Sequence, residues 1–332
     1  MGSSSSKRSR LRTSATQPGS RPHHEPQHED DEVPAATDFC TPSKDPEAFD
    51  DLFPFPFNGK DVLSASEEQL LQVYSTAPQI HRHGGIQITR ISKDLVIKGG
   101  ERVSKSESQN MTFARETLGL AVPKVHRVFT ADIPDGFGRT MKAYFIIMDY
   151  IPGTTVEDAF ACLDRPSKES MVAQVADVIE KMQALTINHL PPGPIGRDLD
   201  EKFQGPWFTE DGAGPFPTLQ ALEDWLNHKI DVCDMVYQLP PGTPKFQFQD
   251  MVLTHQDIAP RNLILDRNMN VWFVDWGCAG VYPRGFEQVA LREQHWHREF
   301  ADMVLARLSN QHLKLAEQYE AISYALSTGR HL

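Results

Sequence analysis

Apolar and polar residues alternate from Ile86 to Ile91, the period of a strand with one buried face, and Asp94 to Lys98 reads as a second short strand that ends on a lysine. From Ser106 to Thr117 the period becomes helical, with Glu107, Met111 and Ala114 at helical spacing and Phe113 beside them. Val122-Pro123-Lys124-Val125 breaks that helix and opens a new strand. Tyr144 to Tyr150 predicts a buried strand that runs into Ile151-Pro152-Gly153, a natural connector between two lobes. Beyond it Glu157 to Cys162 and Ser167 to Leu185 read as helices, the second with Val172, Val175, Val178, Ile179 and Met182 on one broad face. Pro191 to Pro217, dense in Gly, Pro, Asp and aromatics, predicts a long irregular segment, a kind that is commonly functional or mobile. Two apolar pieces, Leu263 to Leu265 and Val271 to Val274, flank the turn-forming Asp266-Arg267-Asn268-Met269-Asn270, which predicts a β-hairpin. Helices over Glu287 to Leu308 and Gln311 to Leu326 close the chain, with Trp296, Phe300, Met303 and Leu308 in register to pack beneath the segment around Asp257.

These elements predict an α+β protein with two lobes: a small antiparallel sheet lobe over residues 51–150 and a mainly helical lobe over 151–332. Composition sets the first 50 residues apart. They are rich in Ser, Pro, His and charge and nearly free of aliphatics, so they bury too little apolar surface to offset ordering entropy and are expected to be a disordered tail. Phe53, Phe55 and Phe57 alternate with prolines and are read as an extended strap or a short linker. The formal charge of −12 argues against nucleic acid as a main partner and leans toward a cationic or neutral small molecule. Cys40, Cys162, Cys233 and Cys278 form neither a C-x-x-C metal pattern nor a secreted framework and are read as reduced thiols, in keeping with a cytoplasmic location. Met1-Gly2-Ser3-Ser4-Ser5-Ser6 fits the acylation pattern M-G-x-x-x-S and is followed by Lys7, Arg8, Arg10 and Arg12, so peripheral membrane attachment through a myristoylated Gly2 is the alternative location.

The candidate chemistry is concentrated in His255-Gln256-Asp257-Ile258-Ala259-Pro260-Arg261-Asn262 and in Asp275-Trp276-Gly277. Taken singly, an H-x-D-x-x-x-x-N string arises by accident in many chains, and a lone histidine is more often a core residue. Followed by a D-x-G triplet at the end of a paired strand, it matches the order of parts that phosphoryl transfer needs. Asp257 lies where a base meets an acceptor hydroxyl, while Asn262 and Asp275 are hard oxygen donors that suit magnesium. The predicted hairpin would fold both carboxylates toward one cavity.

Val96-Ile97-Lys98, Ala121 to Val125, Ile147 to Gly153, Thr254 to Leu265 and Val274 to Gly280 together resemble the aminoglycoside phosphotransferase and choline kinase-like superfamily, which has a protein kinase-like fold, and most closely its fungal members. The resemblance covers about residues 60 to 300. It implies an ATP- and magnesium-dependent kinase that phosphorylates a hydroxylated small molecule, with Lys98 on the nucleotide phosphates, Asp257 as base, His255 bracing the loop, and Asn262 and Asp275 as magnesium ligands. The backbone carbonyl of Asp149 and the backbone amide of Ile151 would meet adenine. Counting back from Pro123 points to Glu107 as the partner of Lys98, although a displacement of two residues would bring Gln109 forward instead. Ala121 stands where the family's motif has its first proline. Trp207, Asp211 and the turn around Arg197 are expected near the acceptor. There is no G-x-G-x-x-G before Lys98 and no A-P-E after Gly277, which disfavours a protein substrate. The competing class is a nucleotide-binding pseudokinase or interaction protein on the same fold, with a protein kinase third.

Overall fold

The computed structural model describes residues 55–134 and 138–332. The tail to residue 50, the Gly2 pattern and Phe53 lie outside them. Helix α1 (Glu67–Thr76) precedes β1 (Gln79–His83), β2 (Ile86–Arg90) and β3 (Leu95–Gly100); α2 (Lys105–Leu118) leads to β4 (Val125–Pro134) and β5 (Thr140–Asp149). The five strands form an antiparallel sheet in the order β1-β2-β3-β5-β4. This central placement of β3 makes Val96 and Ile97 core residues and leaves Lys98, opposite Ile146 of β5, only 3% exposed.

Phe57 anchors the chain's entry into this lobe. Its backbone N–H donates to Ile91 O at 2.9 Å, and its ring joins a core that includes Leu70, Ile91, Ile97, Phe129 and Phe145. Phe55 is also buried and lies under the Arg90 guanidinium, 4.7 Å from its ring centre, while Tyr150 covers the guanidinium at 3.8 Å. Residues 55–57 are thus packed on the body, but through turns closed by Asn58 N–H to Phe55 O and Lys60 N–H to Phe57 O rather than as the extended strap expected.

Gly99 follows Lys98 because of its neighbour. A Cβ there would stand 2.2 Å from Cδ1 of Phe145, whose ring is fixed by Phe129 at 4.9 Å and Tyr74 at 5.1 Å. Gly99→Ala is therefore expected to destabilise the protein by roughly 1–3 kcal/mol through overpacking, read as a lower urea midpoint. An unchanged midpoint would show that the Phe145 ring has room to move.

The second lobe comprises β6 (Gly153–Thr155), α3 (Val156–Ala159), α4 (Arg165–Ala184), α5 (Leu219–Met235), β7 (Met251–Thr254), β8 (Leu263–Asp266), β9 (Val271–Phe273), β10 (Gly280–Pro283), α6 (Phe286–Arg292), α7 (Arg298–Leu305), α8 (Leu313–Ala321) and α9 (Ser323–Leu326). Helix α4 starts at the N-cap Asp164, which accepts from Ser167 N–H, and buries Met171, Val172, Val175, Ile179 and Met182. The expected β8–β9 hairpin is present, and Asp266 closes its turn by accepting from the backbone N–H groups of Asn268 and Asn270. No helix among the described residues is long and apolar enough to cross a membrane.

Several expectations need correction. The helix predicted from Glu287 to Leu308 is broken: α6 ends at Arg292, a 3-10 turn spans His295–His297, and α7 starts at Arg298. Trp296, assigned to the packed face, is 95% exposed on that turn. Cys233 and Cys278 are free thiols.

Candidate active site

Lys98 is held by carboxylates from two distant parts of the chain. Its Nζ lies 2.5 Å from Glu107 Oε1 and 2.6 Å from Asp275 Oδ1. Ser104 caps α2 by accepting the N–H of Glu107, which fixes the first turn and aims the Glu107 side chain back at β3. Gln109 faces elsewhere and packs against Gly196, so the partner of Lys98 is Glu107. Burial alone would lower the Lys98 ammonium, but Glu107 and Asp275 outweigh it and hold it above its ordinary range. The Lys98 charge in turn holds the Asp275 carboxyl below its ordinary value. Burial pushes the enclosed Glu107 carboxyl up while Lys98 opposes it. Asp275 is the open member of the trio, with 43% of its side chain exposed against 2% for Glu107.

The second cluster is built on the loop after β7. Gln256 takes a left-handed backbone with φ 63°, which turns the chain so that His255 points inward and Asp257 toward Asn262. Pro260–Asn262 form a 3-10 turn, and across it the Asn262 side-chain amide donates to Asp257 Oδ2 at 2.8 Å and to its backbone oxygen at 3.0 Å. Arg261 Nη2 reaches both carboxylate oxygens of Asp257, at 2.6 and 2.7 Å. Gln294 Nε2 stands 3.4 Å from Oδ1. Asp275 also adopts a left-handed backbone, φ 63° and ψ 67°, directly after the β9 arm of the hairpin; such conformations cost energy and collect at functional positions.

His255 joins the two clusters without facing solvent. Its ring donates from Nε2 to Val274 O at 3.1 Å and accepts the Asp257 N–H on Nδ1 at 3.3 Å, so it ties the residue before Asp275 to Asp257 itself. Burial lowers its pKa, in keeping with the neutral ring that this pattern requires.

Sequence reasoning missed Glu287, whose side chain is fully buried beneath this loop. Its Oε2 accepts the backbone N–H groups of His255 and, at 3.1 Å, of Gln256, while Oε1 has no hydrogen-bond partner. Desolvation pushes its carboxyl up to about 7. A glutamate at the start of an apolar helix pattern gave no signal of this use, because the groups it serves are 31 and 32 residues away.

Two residues expected near the acceptor are engaged with other parts of the chain. Trp207 is fully buried, stacked on Phe286 with ring centres 3.7 Å apart, and donates from Nε1 to Phe286 O. Asp211 meets Arg330 at 3.0 Å. Arg197 does line a cavity, of about 310 Å³, together with Gly196, Asp198, Leu199, Pro215 and Pro217. At the hinge, the Asp149 carboxylate accepts from Lys124 N–H and pairs with His126 Nε2 at 2.7 Å, so this side chain fastens the start of β4. Ile151, just beyond, is buried.

The donor set fits a hard divalent cation held largely by phosphate and water. No group of three or more His, Cys, Asp or Glu suited to a metal occurs among the described residues, which disfavours a closed protein-only site. The Asn262 amide nitrogen is committed to Asp257, which turns its oxygen the other way, and Asp275 is half-exposed with one oxygen on Lys98. One amide oxygen and one carboxylate are what magnesium bound to a nucleotide asks of a protein.

A buried cation on two carboxylates is thus coupled through a neutral histidine to an Asp–Asn pair. The sequence profile described as the Phosphotransferase enzyme family (APH) matches residues 104–322, and the chain belongs to that family. A comparison with curated proteins finds no match. Among solved structures, the chain is similar to that of the streptomycin-ATP-APH(2")-IIa ternary complex, at 18% identity over 76% of this chain and 85% of the other, with a TM-score of 0.46. It is also similar to ADP-bound aminoglycoside phosphotransferase APH(2'')-Ib (14% identity, 79% and 90% covered, TM-score 0.47). A third is aminoglycoside phosphotransferase APH(4)-Ia (13% identity, 80% and 92% covered, TM-score 0.46).

Proposed function

We propose that this phosphotransferase moves the γ-phosphoryl group of ATP, with magnesium, to a hydroxyl of a small molecule, and that Asp257 takes the acceptor's proton. The observation that carries this reading is the simultaneous contact of Lys98 with Glu107 and Asp275, one residue beyond the backbone oxygen on which His255 rests. Lys98, its charge secured by two carboxylates, binds the nucleotide phosphates. Arg261 and Asn262 fix the Asp257 carboxylate so that one oxygen meets the acceptor O–H. The acceptor oxygen bonds to the γ-phosphorus as the bond to the β-phosphate oxygen breaks, the proton passes to Asp257, and ADP leaves. Asn262 and Asp275 would hold the magnesium, whose charge offsets that of the phosphates. The net charge of −12 favours a cationic or neutral acceptor.

The test is ADP release from ATP and magnesium in the presence of pooled amino alcohols, aminoglycosides and sugars. Release is expected to depend on an acceptor and to fall by more than about 10²-fold in Asp275→Ala, since transfer relies on positioning and charge neutralisation. Thermal stabilisation by nucleotide with no turnover on any acceptor would point instead to a nucleotide-binding protein.

A further inference from the structure

We propose that the segment from Gly193 to Glu201 is a strap that holds α2 with Glu107 turned onto Lys98, and that Asn110 is the positioning residue through which it acts. The inference rests on the reading of Lys98 and Glu107 as nucleotide-binding residues, and it gives a role to part of the irregular Pro191 to Pro217 segment.

Asn110 lies three residues after Glu107, on the same face of α2. It is completely buried, and both ends of its amide are in use. Nδ2 donates to Ala279 O at 2.8 Å and lies 3.4 Å from Trp276 O; Oδ1 accepts the N–H of Ile195 at 3.0 Å. One side chain on α2 therefore grips both the backbone just after Asp275 and the strap.

The strap is fastened at both ends. At its root, Gly193 and Val281 of β10 exchange two backbone hydrogen bonds of 2.9 Å each. Farther along, Gly196 lies so close to α2 that a Cβ there would stand 2.9 Å from Gln109 Cγ. Asp198 accepts the Tyr144 hydroxyl of β5 at 2.7 Å, and Glu201 accepts the Ser106 hydroxyl at the start of α2. The stretch that carries Asp275 is thus linked to the strap's root, and the strap's far end is linked to the sheet and helix that carry Lys98 and Glu107.

An outward swing of α2 would leave the Asn110 amide, the Ile195 N–H and the Ala279 carbonyl without partners in a buried setting, on top of parting the Lys98 pair. Unmet buried groups cost more than their hydrogen bonds gain, so these contacts work as a latch with one favoured position. Glu107 is then held inward without a partner protein or a modification.

The experiment is a double-mutant cycle on the affinity for ATP with magnesium, measured calorimetrically. If Asn110 acts through Glu107, Asn110→Ala weakens ATP binding by about tenfold in the wild-type background and by less than about twofold in the Glu107→Gln background, because the interaction it supports is already gone. Equal losses in the two backgrounds would assign Asn110 a merely structural role and overturn the proposal. Hydrogen exchange provides the second measurement. Exchange across residues 105–118 is expected to speed up by about tenfold or more in Asn110→Ala and in the doubly substituted Asp198→Ala/Glu201→Ala protein, which spares the core should Asn110→Ala fail to fold. Unchanged exchange in the latter would overturn the strap. If wild-type protein binds no ATP, the proposed function fails, and the exchange experiment still decides whether the strap holds α2.

Discussion

Asp257→Asn is expected to slow phosphoryl transfer by about 10²–10⁴-fold while the thermal shift produced by ATP and magnesium stays nearly the same. The asymmetry follows from the two clusters. In the proposed mechanism nucleotide affinity depends on Lys98, Glu107 and Asp275, none of which bonds Asp257 directly. Asp257 is instead surrounded by donors: Arg261 to both oxygens, Asn262 to Oδ2 and Gln294 near Oδ1. An asparagine keeps one oxygen for Arg261, so the loop retains much of its shape, but the amide cannot take a proton from an alcohol. Single-turnover formation of the phosphorylated acceptor, alongside nucleotide-dependent melting, separates the two effects. A variant that transfers within about threefold of wild type would remove Asp257 from the role of base.

Stability between pH 5 and pH 8 is expected to fall in the wild type relative to Glu287→Gln, by up to roughly 3 kcal/mol. The sign follows from proton binding. Burial raises the folded-state carboxyl from 4.5 to about 7, so between those values the folded protein holds a proton that the unfolded chain has released. Stability from this group is complete below pH 4.5, declines as pH rises toward 7, and is constant above. Glutamine still offers an oxygen to the backbone N–H groups of His255 and Gln256 but does not titrate. The measurement is the urea midpoint of both proteins at pH 5 and pH 8. A gap between the two proteins that is the same at both pH values would mean that the Glu287 carboxyl keeps its ordinary pKa.

The catalytic-loop half of the candidate site could be read from local spacing, because its parts are joined to neighbours a few residues away or across one hairpin. Asp257 and Asn262 meet across a single 3-10 turn. The β8–β9 hairpin returns the chain so that Val274 N–H reaches Asn262 O, which sets Asp275 beside the loop. The family resemblance, counted back from Pro123, points to Glu107 as the partner of Lys98. The choice between Glu107 and Gln109 stayed open in the sequence because it turns on where the helix starts. The Ser104 cap and the packing of Gln109 on Gly196 decide it.

Other features escaped because the physical cause lies far away in the chain. Trp207 read as a pocket aromatic in a Gly- and Pro-rich stretch, yet its flat partner, Phe286, comes from a helix 79 residues later. The Glu287 to Leu308 pattern read as one helix, but the backbone breaks at His295–His297, with Gln294 turned toward Asp257. The role of Glu287 itself has no local signature.

The sequence by itself determined the two-lobed α+β plan, helices α2 and α4 and the β8–β9 hairpin, since backbone preference and side-chain period act over two to five positions, while the family resemblance supplied the residues expected around Lys98 and Asp257. Only the tertiary structure decided which polar groups are enclosed: Asn110 between helix and strap, Glu287 under the loop, Trp207 in the core. Burial depends on segments brought together from opposite ends of the chain, and a buried donor or acceptor is satisfied by whichever distant partner the fold delivers.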